Sequence, residues 1–386
     1  MKKARFMMVL SMAVVCLAAC KKYAQPENVQ GEVAGQANHG DHDEDGSDGF
    51  VYTLSNDVSG NNVMEFRRTQ NGQLTFAQSF ATGGTGTGTG LGNQGALNLS
   101  EERNWLFAVN AGNNSISAFS VENGGLTLRS TVPSGGTTPI SITSFRNLVY
   151  VVNTGGDGNI SGFRLYSDGS LHAIPNSTRP LSSNNAGPAE ISFVEDGSAV
   201  VVTEKNENKI LTYTINGAGV PGAMHTLNAA NTTPFGFAVG RFGLIYVSEA
   251  AGGAPGASTV SSYRVRENGS IVLVDGPNRA NQTSACWVAV TGNGRFVFDS
   301  NTGSGTVSSF TANPFGGLHV LEAVAGPTGP GSAPADAAFN KNSKFLFIRT
   351  GGNGMIREFS VDGNGHLTFV QDVSGLPGGA TGLVAQ

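Results

Sequence analysis

One unit of roughly 48 residues returns seven times between residues 50 and 386, and a fixed period of that kind restricts the fold more than any other property of the chain. Each copy begins with a short apolar stretch after a small residue or proline. A β-branched and aromatic run follows and ends in a polar residue. Next comes a strand of the form x-Ile/Val-x-x-Phe/Tyr, and a glycine-containing turn leads to the last strand. The second part reads 50–55, 106–110, 149–153, 199–204, 244–249, 296–301 and 345–350. The third carries its aromatic at Phe66, Phe119, Phe163, Tyr213, Tyr263, Phe310 and Phe359. Asn71-Gly72, Asn123-Gly124, Asp168-Gly169, Asn216-Gly217, Asn268-Gly269 and Asp362-Gly363 follow the third part, with Phe315-Gly316-Gly317 the exception. Asn-Gly and Asp-Gly supply the positive φ angles that a tight hairpin needs.

Each unit is therefore expected to form four short antiparallel strands. One such sheet cannot bury both faces, whereas seven packed radially can, with few open edges. The predicted fold is all-β: a seven-bladed β-propeller over residues 50–386. The domain begins at the second part of a unit, and residues 378–386 hold an unaccompanied first part, Gly382-Leu383-Val384-Ala385. The C-terminal strand is thus expected to complete the first blade from inside and close the ring.

Glycine accounts for 55 of 386 residues and only 13% of the chain is charged, which excludes a coiled coil or a bundle of charged helices. A net charge of −5 opposes nucleic-acid binding, which needs a basic face to displace counterions. Ahead of the repeats, Lys2, Lys3 and Arg5 precede an apolar run that ends Leu17-Ala18-Ala19-Cys20. The run is too short to span a bilayer and has the size of a signal h-region. It resembles the lipobox of bacterial lipoproteins. Residues 1–19 would then be a signal peptide, with Cys20 lipidated and the protein anchored in the cell envelope on the periplasmic or outer side. Residues 20–49 lack apolar periodicity and read as an acidic, solvated tether. Within it Asp41, Asp43, Asp45 and Gly46 match the first half of a calcium loop, but position 12 is Tyr52 rather than a glutamate, so a plain acidic spacer competes with a cation site. With Cys16 removed and Cys20 lipidated, Cys286 is left alone and no internal disulfide can form.

Tyr150-Val151-Val152-Asn153, followed by Asn159-Ile160 and Phe163, resembles the Tyr-Val-x-Asn repeats of the seven-bladed lactonase-like propellers, the family of 6-phosphogluconolactonase and the carboxymuconate-lactonizing enzyme. Gly187-Pro188-Ala189-Glu190, with Asp196-Gly197 and Val201-Val202-Thr203-Glu204, resembles a family segment in which Gly-Pro-Arg-His opens a blade and Val-x-Asn-Glu follows. The resemblance implies that Glu204 corresponds to the family's acidic active-site residue. Ala189 and Glu190 replace the family's arginine and histidine, and Thr302 stands where a later blade often has arginine.

Alignment of the first part of every unit gives one hub-facing position per blade: Ala96, Ser141, Glu190, Gly236, Trp287, Asp336 and Gly382. Glu204, Glu249 and Arg349, at the ends of second strands, are expected at the rim. A carboxylate in a dry cleft can act as general base, and an indole face suits a sugar ring or a cation. Channels of this kind also commonly hold polar side chains around trapped water. Two functions therefore stand side by side. In one, Glu204 and Glu190 hydrolyse a lactone or sugar derivative bound by Trp287, Asp336, Glu249, Arg349 and Ser141. In the other, a non-catalytic propeller binds a glycan or an envelope protein. Neither requires a cofactor or a metal, and a monomer is expected.

Overall fold

The computed structural model describes residues 49–69, 72–122 and 125–386. The signal segment, Cys20, Asp41, Asp43 and Asp45 lie outside the described residues, as do Asn71, Asn123 and Gly124.

Seven antiparallel sheets form the domain, and the first strand of each packs against the first strands of its two neighbours around a closed ring. Blade 1 comprises Thr381–Ala385, Gly49–Leu54, Asn62–Arg68 and Leu74–Ala81; blade 2 comprises Leu97–Leu99, Trp105–Asn110, Ser115–Glu122 and Gly125–Pro133. Blade 3 comprises Thr137–Phe145, Leu148–Gly155 and Asn159–Leu165, with an outer strand split into Leu171–Ala173 and Arg179–Pro180. Blade 4 runs Pro188–Phe193, Ala199–Glu204, Lys209–Ile215 and Pro221–Asn228; blade 5 runs Pro234–Val239, Leu244–Glu249, Thr259–Val265 and Ile271–Asn278. Blade 6 is Ala285–Val290, Phe296–Asn301, Thr306–Ala312 and Leu318–Pro327, and blade 7 is Pro334–Phe339, Phe345–Thr350, Met355–Val361 and Leu367–Ser374.

The second strands read as nearly continuous apolar runs because both of their faces are covered. Val200 and Val202 pack with Tyr150 and Val152 of blade 3, while Val201 packs with Ile245 and Val247 of blade 5. All seven repeat aromatics are at most 2% exposed, so each removes a whole ring from water. Opposite them the outer strands carry Phe76, Leu128, Met224, Leu273, Val320 and Phe369, which are partly exposed. In six blades a register shift interrupts the outer pair beside the repeat aromatic, and in blade 3 the outer strand itself is broken. Bulges twist exposed edges away from further pairing, so this repetition protects a rim of seven outer strands.

Closure is as expected. Val51, Tyr52 and Thr53 pair with Ala385, Val384 and Leu383, and the Thr53 hydroxyl donates to Gly382 O at 2.6 Å. Across the same seam the Arg68 guanidinium meets Glu358 of blade 7 at 2.5 Å and stacks 3.5 Å over the Phe345 ring.

The outer hairpins differ from the expected Asn-Gly pairs. In blade 3 the Gly169 N–H donates to Tyr166 O while Tyr166 N–H donates to Ser170 O, a longer loop closed by one left-handed glycine, Gly169 at φ +87°. Blades 4 and 7 place that glycine at Gly219 and Gly365, not at Gly217 or Gly363. The preceding Asn216 and Asp362 accept backbone N–H groups through their side chains and act as turn initiators.

Connectivity gives the disc two distinct faces. Turns between first and second strands, the outer hairpins, Gly49 and the C-terminus lie on one, here the entry face. Loops between second and third strands and the crossings between blades lie on the opposite face.

Candidate functional site

All seven hub positions are buried, and their polar groups are satisfied by the chain itself. The reason lies in residues 82–96, which cross from blade 1 to blade 2 over the opposite face and shorten the first strand of blade 2 to three residues. Gln94 stands at the position that Pro139, Pro188, Pro234 and Pro334 hold in other first strands. Its side chain spans the hub: Nε2 donates to Phe237 O at 3.1 Å and Val288 O at 3.0 Å, and Oε1 accepts from Val288 N–H at 3.0 Å. Its own N–H donates to Ala189 O at 3.0 Å. Beside it, Asn93 O accepts the Trp287 indole N–H at 2.7 Å, and the Asn93 side chain bonds Ile140 O and the Thr381 hydroxyl. Two residues thus tie together blades 1, 3, 4, 5 and 6.

Gly236 explains how the span fits. A Cβ there would lie 2.0 Å from Gln94 Oε1 and 2.7 Å from Cys286 O, so only glycine admits the amide. Trp287 is 4% exposed, with its indole tilted against Phe235 at 5.0 Å between centroids. The face predicted to receive a sugar is therefore covered.

Glu190 and Asp336 come together at the hub, close enough that the Asp336 charge disfavours ionisation of Glu190. Burial pushes the Glu190 carboxyl well up; the Phe237 N–H, donating to Oε2 at 2.6 Å, opposes this, and the Asp336 charge reinforces it. Burial also raises Asp336, against Arg349, whose Nε and Nη2 reach Oδ2 at 3.1 and 3.0 Å, and against the Gly382 N–H at 3.1 Å. Ser141 lies alongside, its hydroxyl accepting the Ile191 N–H at 3.1 Å.

Glu204 and Glu249 are not part of this cluster. Each is the last residue of a second strand, in the position occupied by Asn110, Asn153 and Asn301 elsewhere, and each is fully buried within its blade stack. Glu204 accepts the Ser182 N–H at 2.9 Å and also the Ser182 hydroxyl. Asn110 and Asn153 take the Thr82 and Ser134 hydroxyls in the same way, at 2.7 Å each. Glu249 accepts from Thr259 at 2.6 Å, Ser261 at 2.8 Å and Tyr263 at 2.6 Å. Burial raises both carboxyls above the ordinary range, and these hydroxyls pull them back. Tyr263 is pushed up by burial and by Glu249.

A polar depression of about 140 Å³ opens on the opposite face between blades 3 and 4, lined among others by Thr154, Asp157, Ser183, Asn184, Asn185 and Asn206. Glu204 lies behind it, since Ser182 sits between the lining residues Leu181 and Ser183. Gly187-Pro188 forms part of the wall. Asn184, Asn185 and Asn206 had not been singled out from the sequence; the signal available was the Ser-Ser-Asn-Asn run entering the Gly-Pro segment. Among the described residues no group of three or more His, Cys, Asp or Glu could hold a metal. Cys286, the one cysteine among the described residues, is buried beside Trp287, within the cluster of Ala189, Phe235, Ala250 and Ala335. No described helix is long and apolar enough to cross a membrane.

The sequence matches the family described as "Lactonase, 7-bladed beta-propeller" over residues 48–179 and 256–385. Among solved structures, a Bacteroides fragilis protein assigned as a 6-phosphogluconolactonase superposes with a TM-score of 0.70 at 17% identity, covering 90% of this chain and 100% of its own. A Bacteroides uniformis protein with the same assignment gives 0.68 at 19%, covering 87% and 99%. The periplasmic gluconolactonase of Pseudomonas aeruginosa gives 0.68 at 16%, covering 86% and 98%. At these identities the superpositions speak for the fold alone. None of the curated proteins matches the sequence.

Proposed function

Since the chain belongs to the family of seven-bladed β-propeller lactonases, we propose that it binds a lactone or related polyhydroxylated sugar derivative in the depression between blades 3 and 4, without turning it over, while anchored through Cys20 outside the cytoplasm. One observation carries the reading: the carboxylates singled out for chemistry, two at the hub and one behind the depression, are each engaged by the chain's own donors. Glu190 has Phe237 N–H, Asp336 has Arg349 and Gly382 N–H, and Glu204 has both donors of Ser182. A general base must reach the water it activates, directly or through one intervening water, and these donors already occupy Glu190 Oε2, Asp336 Oδ2 and both Glu204 oxygens. The family's arginine and histidine positions hold Ala189 and Glu190, which removes the groups that would orient a charged substrate. The depression instead offers amides, hydroxyls and one carboxylate, Asp157, a set suited to hydroxyl groups on a ring.

Hydrolysis remains the second reading because Glu204, raised by burial, lies directly behind the depression. Calorimetric titration with a panel of aldonolactones and the matching aldonates distinguishes them. Binding that Asp157→Ala and Asn184→Ala abolish, with the lactone recovered intact, supports the binding protein. Turnover that disappears in Glu204→Gln replaces it with the hydrolase, and no binding by any member of the panel refutes both. Palmitate incorporation lost in Cys20→Ala tests the anchor separately.

A further inference from the structure

The seven blades act as internal controls for one another, and by that standard two phenylalanines are out of place. Every turn between a first and a second strand from blade 2 to blade 7 contains a left-handed residue: Arg103, Arg146, Gly197, Phe242, Gly294 and Ser343. Blades 4 and 6 use glycine, whereas blade 5 holds a phenylalanine at φ +59°, a conformation that disfavours bulky side chains. In the neighbouring outer hairpin of blade 6, Phe315 occupies the position that Asp168, Ala218, Asn268 and Asn364 fill elsewhere. Phe242 is 66% exposed and Phe315 81%. Neither ring contributes to the core, and Arg264 locks both turns by donating to Phe242 O at 3.0 Å and to Phe315 O at 3.1 Å.

Both rings project from the entry face, the same face at which the chain arrives at Gly49. Around them, over blades 5 to 7, the turns carry Arg241, Arg266, Arg295 and Lys341 in exposed positions. The same turns also hold the carboxylates Glu267 and Asp362, and Glu195 of blade 4 accepts the Phe242 N–H at 2.6 Å, but cations outnumber them there, whereas Glu101 and Glu102 lie across the face on blade 2, so the charge is graded from blade 2 toward blades 5 to 7. Two rigidly held aromatics among turn cations, on the face where the chain enters at Gly49, match the chemistry of an anionic bilayer surface: rings at the headgroup boundary, cations on the phosphates.

We infer that the entry face over blades 5 and 6 docks onto an anionic lipid bilayer through Phe242 and Phe315, tilting the propeller so that blade 2, on the opposite side of the ring, stands away from the surface. The inference rests on the Cys20 anchor for the choice of a membrane as occupant. It leaves the depression between blades 3 and 4 on the far face, open to solutes.

The test uses the full mature chain on vesicles of phosphatidylglycerol and phosphatidylethanolamine. An environment-sensitive dye is attached through Phe315→Cys or, as the far-face control, Asn185→Cys. The expected result is quenching by brominated lipid at 315 and none at 185. Phe242→Ser and Phe315→Ser should each weaken vesicle association about tenfold, as expected for withdrawing most of one ring from water. Vesicles of phosphatidylcholine alone should bind less than the anionic ones. Phe242→Gly should melt no lower than the parent chain while binding as weakly as Phe242→Ser, because glycine suits the left-handed position. A palmitate-labelled protein whose dye at 315 stays in water keeps the anchor and overturns the docking face. An unlabelled protein that still sediments with anionic vesicles in a Phe315-dependent manner keeps the docking face and loses the anchor. An unlabelled protein that does not sediment loses both.

Discussion

Asp299 offers the sharpest energetic test of this architecture. It lies in the second strand of blade 6, two residues along from Val297, whose side chain packs with Tyr246 and Val260 of blade 5. Its carboxyl therefore faces the layer between blades 5 and 6, where the equivalent positions of other blades hold Ala108, Val151, Val202, Val247 and Ile348. It is 2% exposed, Oδ1 has no hydrogen-bond partner, and burial alone pushes the carboxyl well above its ordinary range. Removing an unsatisfied buried polar group recovers about 1–3 kcal/mol, and the methyl groups of valine add roughly 1 kcal/mol of apolar burial. Asp299→Val should thus stabilise the protein by roughly 2–4 kcal/mol at low pH. The raised carboxyl makes the folded state hold a proton that the unfolded state releases. The parent chain is accordingly most stable below the unfolded value of about 3.9 and loses stability as pH climbs toward the folded value. The advantage of the variant should grow by about 1.4 kcal/mol per pH unit across that window. Glu190, Asp336, Glu204 and Glu249 tilt both curves in the same direction, so the difference between variant and parent isolates Asp299. Urea unfolding at a series of pH values measures it. A destabilised variant, or a difference that stays flat from about pH 4 to about pH 8, would mean an ionised and paired carboxylate and would refute the reasoning.

Deleting residues 378–386 should abolish cooperative thermal unfolding, because it removes the inner strand of blade 1 and uncovers Val51 and Tyr52; an unchanged melting transition would contradict ring closure. Gly236→Ala should cost about 2–3 kcal/mol by forcing Gln94 and the Cys286 carbonyl to move, and Gln94→Ala in the same chain should recover part of it. Strictly additive urea midpoints in that pair would place the amide elsewhere. Phe119→Ala should lose about 3–5 kcal/mol, whereas Phe76→Ala on the outer strand should lose less than about 1 kcal/mol. Equal losses would deny that the repeat aromatics form the core.

The sequence revealed the ring because its signal is repeated: the polar ending of each second strand, the aromatic of each third and the lone inner strand at the C-terminus all recur in register, so local ambiguity cancels over seven copies. The predicted second strands agree with the observed ones to within a residue in six blades, and in blade 3 the observed strand, Leu148–Gly155, runs a little longer. The hub was legible only by halves. Aligning the repeats found all seven positions that meet there, but not that Asn93 and Gln94 would fill the space between them. That information sits in a departure from the repeat, glutamine in place of proline, and in a glycine in another blade whose missing Cβ is needed only because the glutamine arrives. Pattern reasoning registers what recurs. It passes over a long-range fit between two residues that each occur once.

The same contrast separates scaffold from surface. Glu204 looked like a site residue when read alone, yet the repeat supplies its equivalents, Asn110 and Asn153, bound to Thr82 and Ser134 as Glu204 is bound to Ser182. A side chain whose role recurs in several blades is serving the assembly of blades, whatever else it does. Features that occur in one blade are where a particular ligand or surface can be read, and this chain has them on opposite faces: the Asn184, Asn185 and Asn206 wall on one side, the Phe242 and Phe315 rings on the other. A propeller is suited to keeping such features independent. Each face is built from turns and crossings that different strands end in, and the sheets between them are held by packing that neither face supplies. Changing the exposed rings should therefore leave ligand binding untouched, and changing the asparagine wall should leave vesicle association untouched.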